Sequence, residues 1–309
     1  MRLTCTARVP AFAGALALTA AAAAPADAAV SGRVADRTLG YGEQVVVRGA
    51  AQPGERVALQ YRAADAGIWS PVATATAGPE GRYRLAVALS RSGHIRVATA
   101  MPTATATATA PEAFAAPLAA TSLGQIRVAA HLTTRAARLN VAAGRTARVR
   151  GTLRRVRAGR TVALQARVGT RWRTVDRDRT DRAGRFALAT VARRSADMRL
   201  RFAGDALNAA TTKRIGRLRA FRRSFASWYG PGFYGARTAC GQTFTAGIMG
   251  VAHKTLPCGT RVTFRKGDRI VRARVVDRGP FVAGREFDLS PAVKAALGFG
   301  STGPVWVAV

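Results

Sequence analysis

Two stretches roughly a hundred residues apart carry the same alternation of apolar and polar positions. The first runs VVVRGAAQPGERVALQYR, then Trp69, GPEGRYRLAV and HIRVAT; the second runs ARVRGTLRRVRAGRTVALQARV, then Trp172, DRAGRFALAT and MRLRFAGD. Apolar residues at every second position mark strands with one face buried, and the PEG and RAG tripeptides between them suit tight turns. Gly49 aligns with Gly151, Val57 with Val162, Trp69 with Trp172, Gly81 with Gly184 and Arg96 with Arg199, at offsets of 102 to 105. This is an internal repeat. Several short strands per hundred residues predict two immunoglobulin-like β-sandwiches, over residues 30–101 and 122–212, without the Cys…Trp…Cys pattern of antibody domains. The paired tryptophans are expected in the sandwich cores.

Elsewhere the pattern changes. Residues 102–121 are a Thr/Ala/Pro run that cannot build a core and read as a linker. Residues 213–223 read as a second, basic linker. From 224 to 309 the strand candidates RVTFRK, RIVRARVV and VWVAV surround one predicted helix over 291–297. Ser290 suits its N-cap, Pro291 its first position and Gly298 its stop. The fold class is therefore all-β with one short helix. At the N-terminus, Arg2 and Arg8 precede an apolar run over 9–24 and a small-residue site at Ala26-Asp27-Ala28, so residues 1–28 read as an export signal. The run is shorter than the 20 or so residues of a membrane span, and no later stretch is apolar enough for one.

The formal charge is +33, and residues 122–223 hold 27 Lys+Arg against 5 Asp+Glu. Outside the cell such a surplus points to anionic wall polymers as partners rather than to nucleic acid. Cys5 precedes the apolar run and would leave with the signal. Cys240 and Cys258 remain, and in an exported domain they are expected to form a disulfide. A metal site would need more ligands than His253, the single histidine after residue 131, can supply with them.

Four segments at the C-terminal end carry the candidate chemistry: ASWYGPGFYGARTACGQTF, VAHKTLPCGT, VVDRGPF and FDLSPAVKAALG. In this order they resemble the double-psi β-barrel domain of the rare lipoprotein A (RlpA) family of peptidoglycan lytic transglycosylases, over about residues 225–309. The resemblance implies a six-stranded barrel at 224–309 and cleavage of the MurNAc–GlcNAc bond without water or cofactor, giving a 1,6-anhydro sugar. It makes Asp277 the catalytic acid and His253 a functionally needed partner. A carboxyl at the end of an apolar strand, beside a Gly-Pro turn, suits general acid work. With only four acidic residues in the domain, one carboxyl acting first as acid and then as base fits better than the two-carboxylate arrangement of ordinary glycosidases. Trp228, Tyr229, Phe233 and Tyr234 are candidate glycan-stacking residues, and Thr238 and Asp288 candidate substrate contacts. Asp288, just before the helix, also suits backbone capping. Two other readings stay open: a non-lytic, expansin-like wall-loosening protein, and a wall-binding protein driven by the basic module.

Overall fold

In the computed structural model, residues 30–99, 119–154, 156 and 158–309 are described. The export signal and residues 102–118 of the first linker lie outside them. The first sandwich comprises β1 (Ser31–Val34), β2 (Thr38–Leu39), β3 (Gln44–Ala50), β4 (Arg56–Ala63), β5 (Ser70–Thr76), β6 (Arg82–Ala88), β7 (Gly93–Thr99) and β8 (Ala119–Val128). Sheet β1-β3-β6 packs on sheet β2-β8-β7-β4-β5, and the alternate residues Val45, Val47, Val57, Leu59, Ile95 and Val97 fill the space between them.

The second sandwich repeats this plan with β9 (His131–Arg138), β10 (Asn140–Ala142), β11 (Thr146–Arg154), β12 (Thr161–Val168), β13 (Arg171–Arg179), β14 (Arg185–Val191), β15 (Ala196–Phe202) and the first half of β16 (Thr211–Trp228). Its sheets are β14-β11-β9 and β13-β12-β15-β16. The repeat extends to the turns. Gly81 and Gly184 both adopt positive φ, 74° and 72°, and a Cβ there would lie 2.6 Å from the Ala51 carbonyl oxygen and 2.3 Å from that of Leu153. Only glycine fits either place.

Three sequence expectations need correction. Residue 122 is not a domain boundary, because β8 runs through it and pairs with β7, Thr121 opposite Val97 and Ser122 opposite Arg96. A register shift in that pairing blurs the alternation, so the strand reads as the tail of the low-complexity run. Residues 213–223 are not a linker but the middle of β16, whose Leu218 and Phe221 are buried. Arginines on the outward positions hide its apolar face. Finally, Trp69, in the loop before β5, and Trp172, on β13, lie outside the cores and are half-buried. The guanidinium of Arg96 sits 4.5 Å from the Trp69 ring centre and that of Arg199 sits 4.3 Å from the Trp172 ring, cation–π contacts. Each arginine is steered by a glutamine one strand away, Gln60 at 2.7 Å and Gln165 at 2.8 Å.

The C-terminal unit is a closed barrel. The second half of β16 is joined by β17 (Gly250–Ala252), β18 (Arg261–Lys266), β19 (Arg269–Asp277), β20 (Phe287–Leu289) and β21 (Thr302–Ala308). The order β16-β20-β17-β19-β18-β21 closes on itself through pairing of β21 with β16, and β16–β20 and β17–β19 are parallel. Phe264, Phe287, Val251, Val275 and Leu289 form its core, against which helix α1 (Pro291–Leu297) sets Val293 and Leu297. The helix has the expected ends: Ser290 Oγ accepts from the Val293 N–H, and Gly298 is left-handed at φ 59°. Because β16 belongs to both units, sandwich and barrel share one continuous 18-residue strand.

Candidate active site

The parallel strands β17 and β19 end side by side, which brings His253 and Asp277 together through the backbone: the His253 N–H donates to the Asp277 carbonyl at 3.1 Å. The Asp277 carboxyl is gripped at one oxygen. Its Oδ1 accepts from the N–H of Ala239 at 2.8 Å and from that of Arg278 at 2.9 Å. A proton on this group therefore belongs on Oδ2. Arg278 does not pair with the Asp277 carboxyl. Its guanidinium donates to the His253 and Leu256 carbonyls at 3.2 and 3.0 Å and to Cys258 Sγ at 3.3 Å, pinning the loop that follows β17. The Cys240–Cys258 bridge, with Cα atoms 5.6 Å apart, ties that loop to the segment that supplies Ala239.

His253 faces away from Asp277 in its side-chain bonds. Its Nδ1 accepts from the N–H groups of Thr255 and Leu256 at 3.1 and 3.0 Å, so the neutral ring carries its proton on Nε2. That nitrogen lies 3.5 Å from Glu286 Oε1. Glu286 is in turn held by both terminal nitrogens of Arg222 and by Ser224 Oγ at 2.8 Å. The Arg222 hydrogen bond, with that of Ser224, holds the Glu286 carboxyl below the usual range against the opposing effect of burial. Sequence reasoning passed over Glu286, Arg222 and Ser224. The one available signal was that Glu286 is among only four acidic residues in the domain.

The aromatic candidates separate into two groups. Tyr229 stacks on buried Phe244 with ring centres 4.3 Å apart and meets Phe233 edge-on at 5.8 Å, while Tyr234 stacks on the same Phe244 at 5.7 Å. Phe233 and Tyr234 stay substantially exposed. The Tyr229 hydroxyl is buried without a hydrogen-bond partner among the described residues. Burial first, then the neighbouring Asp277 and Asp288, raise its pKa. Trp228, the last residue of β16, lies against the barrel core with Lys294 Nζ 3.8 Å from its ring centre, and makes no ring contact with this stack among the described residues. Phe281, four positions beyond Asp277 in the chain and not singled out from the sequence, is 82% exposed.

The remaining two candidates sit in structural bonds. Thr238 is buried and closes its own turn, its Oγ1 accepting from the Gln242 N–H at 3.2 Å. Asp288 accepts from Ser227 Oγ and does not cap the helix, which Ser290 does. Among the described residues no cluster of three His, Cys, Asp or Glu is placed to hold a metal, and no helix is long and apolar enough to cross a membrane.

Comparison of sequence with known proteins bears on this region. Residues 223–309 match the family described as lytic transglycolase. A probable endolytic peptidoglycan transglycosylase RlpA from Synechocystis is 48% identical over 98 residues, 31% of this chain and 28% of its own length. The endolytic peptidoglycan transglycosylase RlpA of Campylobacter jejuni is 45% identical over 25% of this chain and 29% of its own, and that of Pseudomonas aeruginosa 46% identical over 29% and 28%. The chain thus spans less than a third of the length of these relatives. The D0–D1 domain of intimin aligns with 59% of this chain and 97% of its own at 10% identity and a TM-score of 0.22, too low to carry a structural argument. What the barrel, its motifs and these matches establish together is that residues 223–309 form an RlpA-like double-psi β-barrel domain.

Proposed function

We propose that this chain is an exported peptidoglycan lytic transglycosylase in which Asp277 is both acid and base. The observation that carries the reading is the Asp277 carboxyl, fixed at Oδ1 by two backbone amides, with Tyr229 of the Tyr229–Phe233–Tyr234 cluster as its neighbour. With Oδ1 occupied, Oδ2 presents the proton toward a sugar lying on these rings. The proton passes to the glycosidic oxygen as the bond from MurNAc C1 breaks. The C6 hydroxyl of the same residue then attacks C1 and returns its proton to the carboxylate, so one group serves both steps. Preorganised N–H donors hold that carboxylate without reorganisation as its charge changes.

His253 is a positioning residue in this scheme. Its Nδ1 orders the turn at 253–256, its backbone N–H holds the Asp277 carbonyl, and its Nε2–H is directed to Glu286. Mass spectrometry of purified sacculi after incubation tests the proposal. Anhydro-ended muropeptides are the expected product. Reducing-end products would indicate hydrolysis, and unchanged sacculi that nonetheless soften would favour a wall-loosening protein.

A further inference from the structure

A cleft of about 880 Å³ lies between the second sandwich and the barrel. Arg217 and Arg219 of β16 form one wall; Arg261 of β18 with Arg272 and Arg274 of β19 form the other. Among the described residues Asp197 is the one acidic residue in the lining, and Arg217 already meets it at 3.6 Å. The arginines crowd one another. Arg261 stands directly opposite Arg274 in the β18–β19 ladder, an arrangement of like charges that costs stability. Burial first, then Arg272 across the cleft and Arg217 on its own strand, make the charged form of Arg219 less favourable than usual. A fold that keeps such repulsion in a concave space is one that a multivalent anion would relieve.

We infer that this cleft binds a polyanion of phosphodiester-linked polyols. Guanidinium groups pair with phosphate in bidentate fashion, and Arg272 and Arg274, two residues apart on one strand, are about 6.6 Å apart along it. That spacing suits successive phosphates joined by a short carbon bridge. Among the described residues no Phe, Tyr or Trp lines the cleft, so these supply none of the stacking platforms by which single-stranded nucleic acid is held. A base-free polymer fits. The inference rests on the reading that the chain works outside the membrane, where such polymers occur, but not on catalysis. Strand β19 runs from Arg272 and Arg274 to Asp277, so a polymer bound here would hold the barrel with its active-site end close to the wall.

The test uses the full chain carrying Asp277→Asn, so that cutting cannot complicate binding. Fluorescence anisotropy would follow labelled synthetic poly(glycerol phosphate) across a salt series, with an oligothymidylate of equal charge as competitor. Arg272→Gln/Arg274→Gln should weaken binding about tenfold or more and lower the salt slope by about 1.4, two phosphate contacts' worth. Arg217→Gln/Arg219→Gln, on the other wall, should do the same, so a folding defect in one pair does not decide the matter. Arg171→Gln/Arg173→Gln, exposed on β13, removes equal charge and should change affinity less than about twofold. Equal losses from all three pairs would show diffuse attraction and overturn the site. Absence of binding at low salt would overturn it too, as would clear preference for the oligothymidylate. None of these outcomes depends on whether the barrel cleaves glycan.

Discussion

Removing the Cys240–Cys258 bridge should loosen the barrel and, through it, the grip on Asp277. The bridge joins residues 18 apart in sequence, and closing a loop of that size constrains the unfolded chain by about 3 kcal/mol in the chain-entropy account. For a domain of barrel size each kcal/mol moves the midpoint by about 4–8 °C, so the barrel transition should fall by about 12–24 °C in Cys240→Ser/Cys258→Ser. The local effect follows from what the bridge touches. Ala239, beside Cys240, donates to Asp277 Oδ1 at 2.8 Å, the Cys240 N–H donates to the Val276 carbonyl at 3.3 Å, and Arg278 reaches Cys258 Sγ at 3.3 Å.

Loss of the bridge therefore frees a segment that fixes the carboxyl's proton on Oδ2. Turnover should drop several-fold even well below the melting transition, where the barrel remains folded. Scanning calorimetry with a thiol count on the unreduced protein measures the first effect, and release of anhydro products the second. A midpoint within about 3 °C of the parent, or two free thiols per chain before reduction, would refute the reasoning.

Two further perturbations test the rest of the site. Glu286 has a folded-state pKa held down chiefly by Arg222, so its contribution to stability is present above the ordinary glutamate value near 4.3 and is lost as pH falls through the lower folded value. Glu286→Gln should cost about 1 kcal/mol at neutral pH, as expected of a part-exposed pair; thermal melts should show this gap closing in acid, and a gap that is constant with pH would remove the ion pair from the account. Phe281, 82% exposed, should be dispensable for folding, so Phe281→Ala should leave the melting temperature unchanged while raising KM for glycan by about 5–30-fold, the loss of about 1–2 kcal/mol of ring burial on the substrate; an unchanged KM would exclude it as a sugar platform.

How much of this was legible in the chain depended on how local the determining residues are. The helix at Pro291–Leu297 could be read because Ser290, Pro291 and Gly298 lie within a few positions of one another and each end is set by its own backbone needs. The sandwich repeat was legible because alternation and turn glycines recur within each strand pair. Strand β16 was not, since its outward arginines hide a buried face at Leu218 and Phe221. Trp69 and Trp172 misled because a large aromatic was assigned to the core, when arginines on the outer sheet face cover it instead.

The second layer of the site was out of reach for a different reason. Arg222 and Glu286 are 64 residues apart and meet only because β16 pairs with β20 as the barrel closes. The arginine cleft likewise takes its walls from β16 and from β18 and β19, which no short motif joins. The shared strand also changes how the basic module should be probed. Cutting it out at residues 122–219 would remove most of β8 and half of β16, so charge substitutions report its role more cleanly than deletion.

The most direct measurement compares the parent chain with Asp277→Asn on purified sacculi, with products read by mass spectrometry. The amide keeps an oxygen for the Ala239 and Arg278 N–H groups but has no proton to give to the glycosidic oxygen or accept from the C6 hydroxyl. Anhydro-product release should fall by about 10²-fold or more, while sedimentation with sacculi is retained because the basic surfaces are intact. Anhydro products from the Asn variant at near the parent rate would contradict the assignment of Asp277 as the acid.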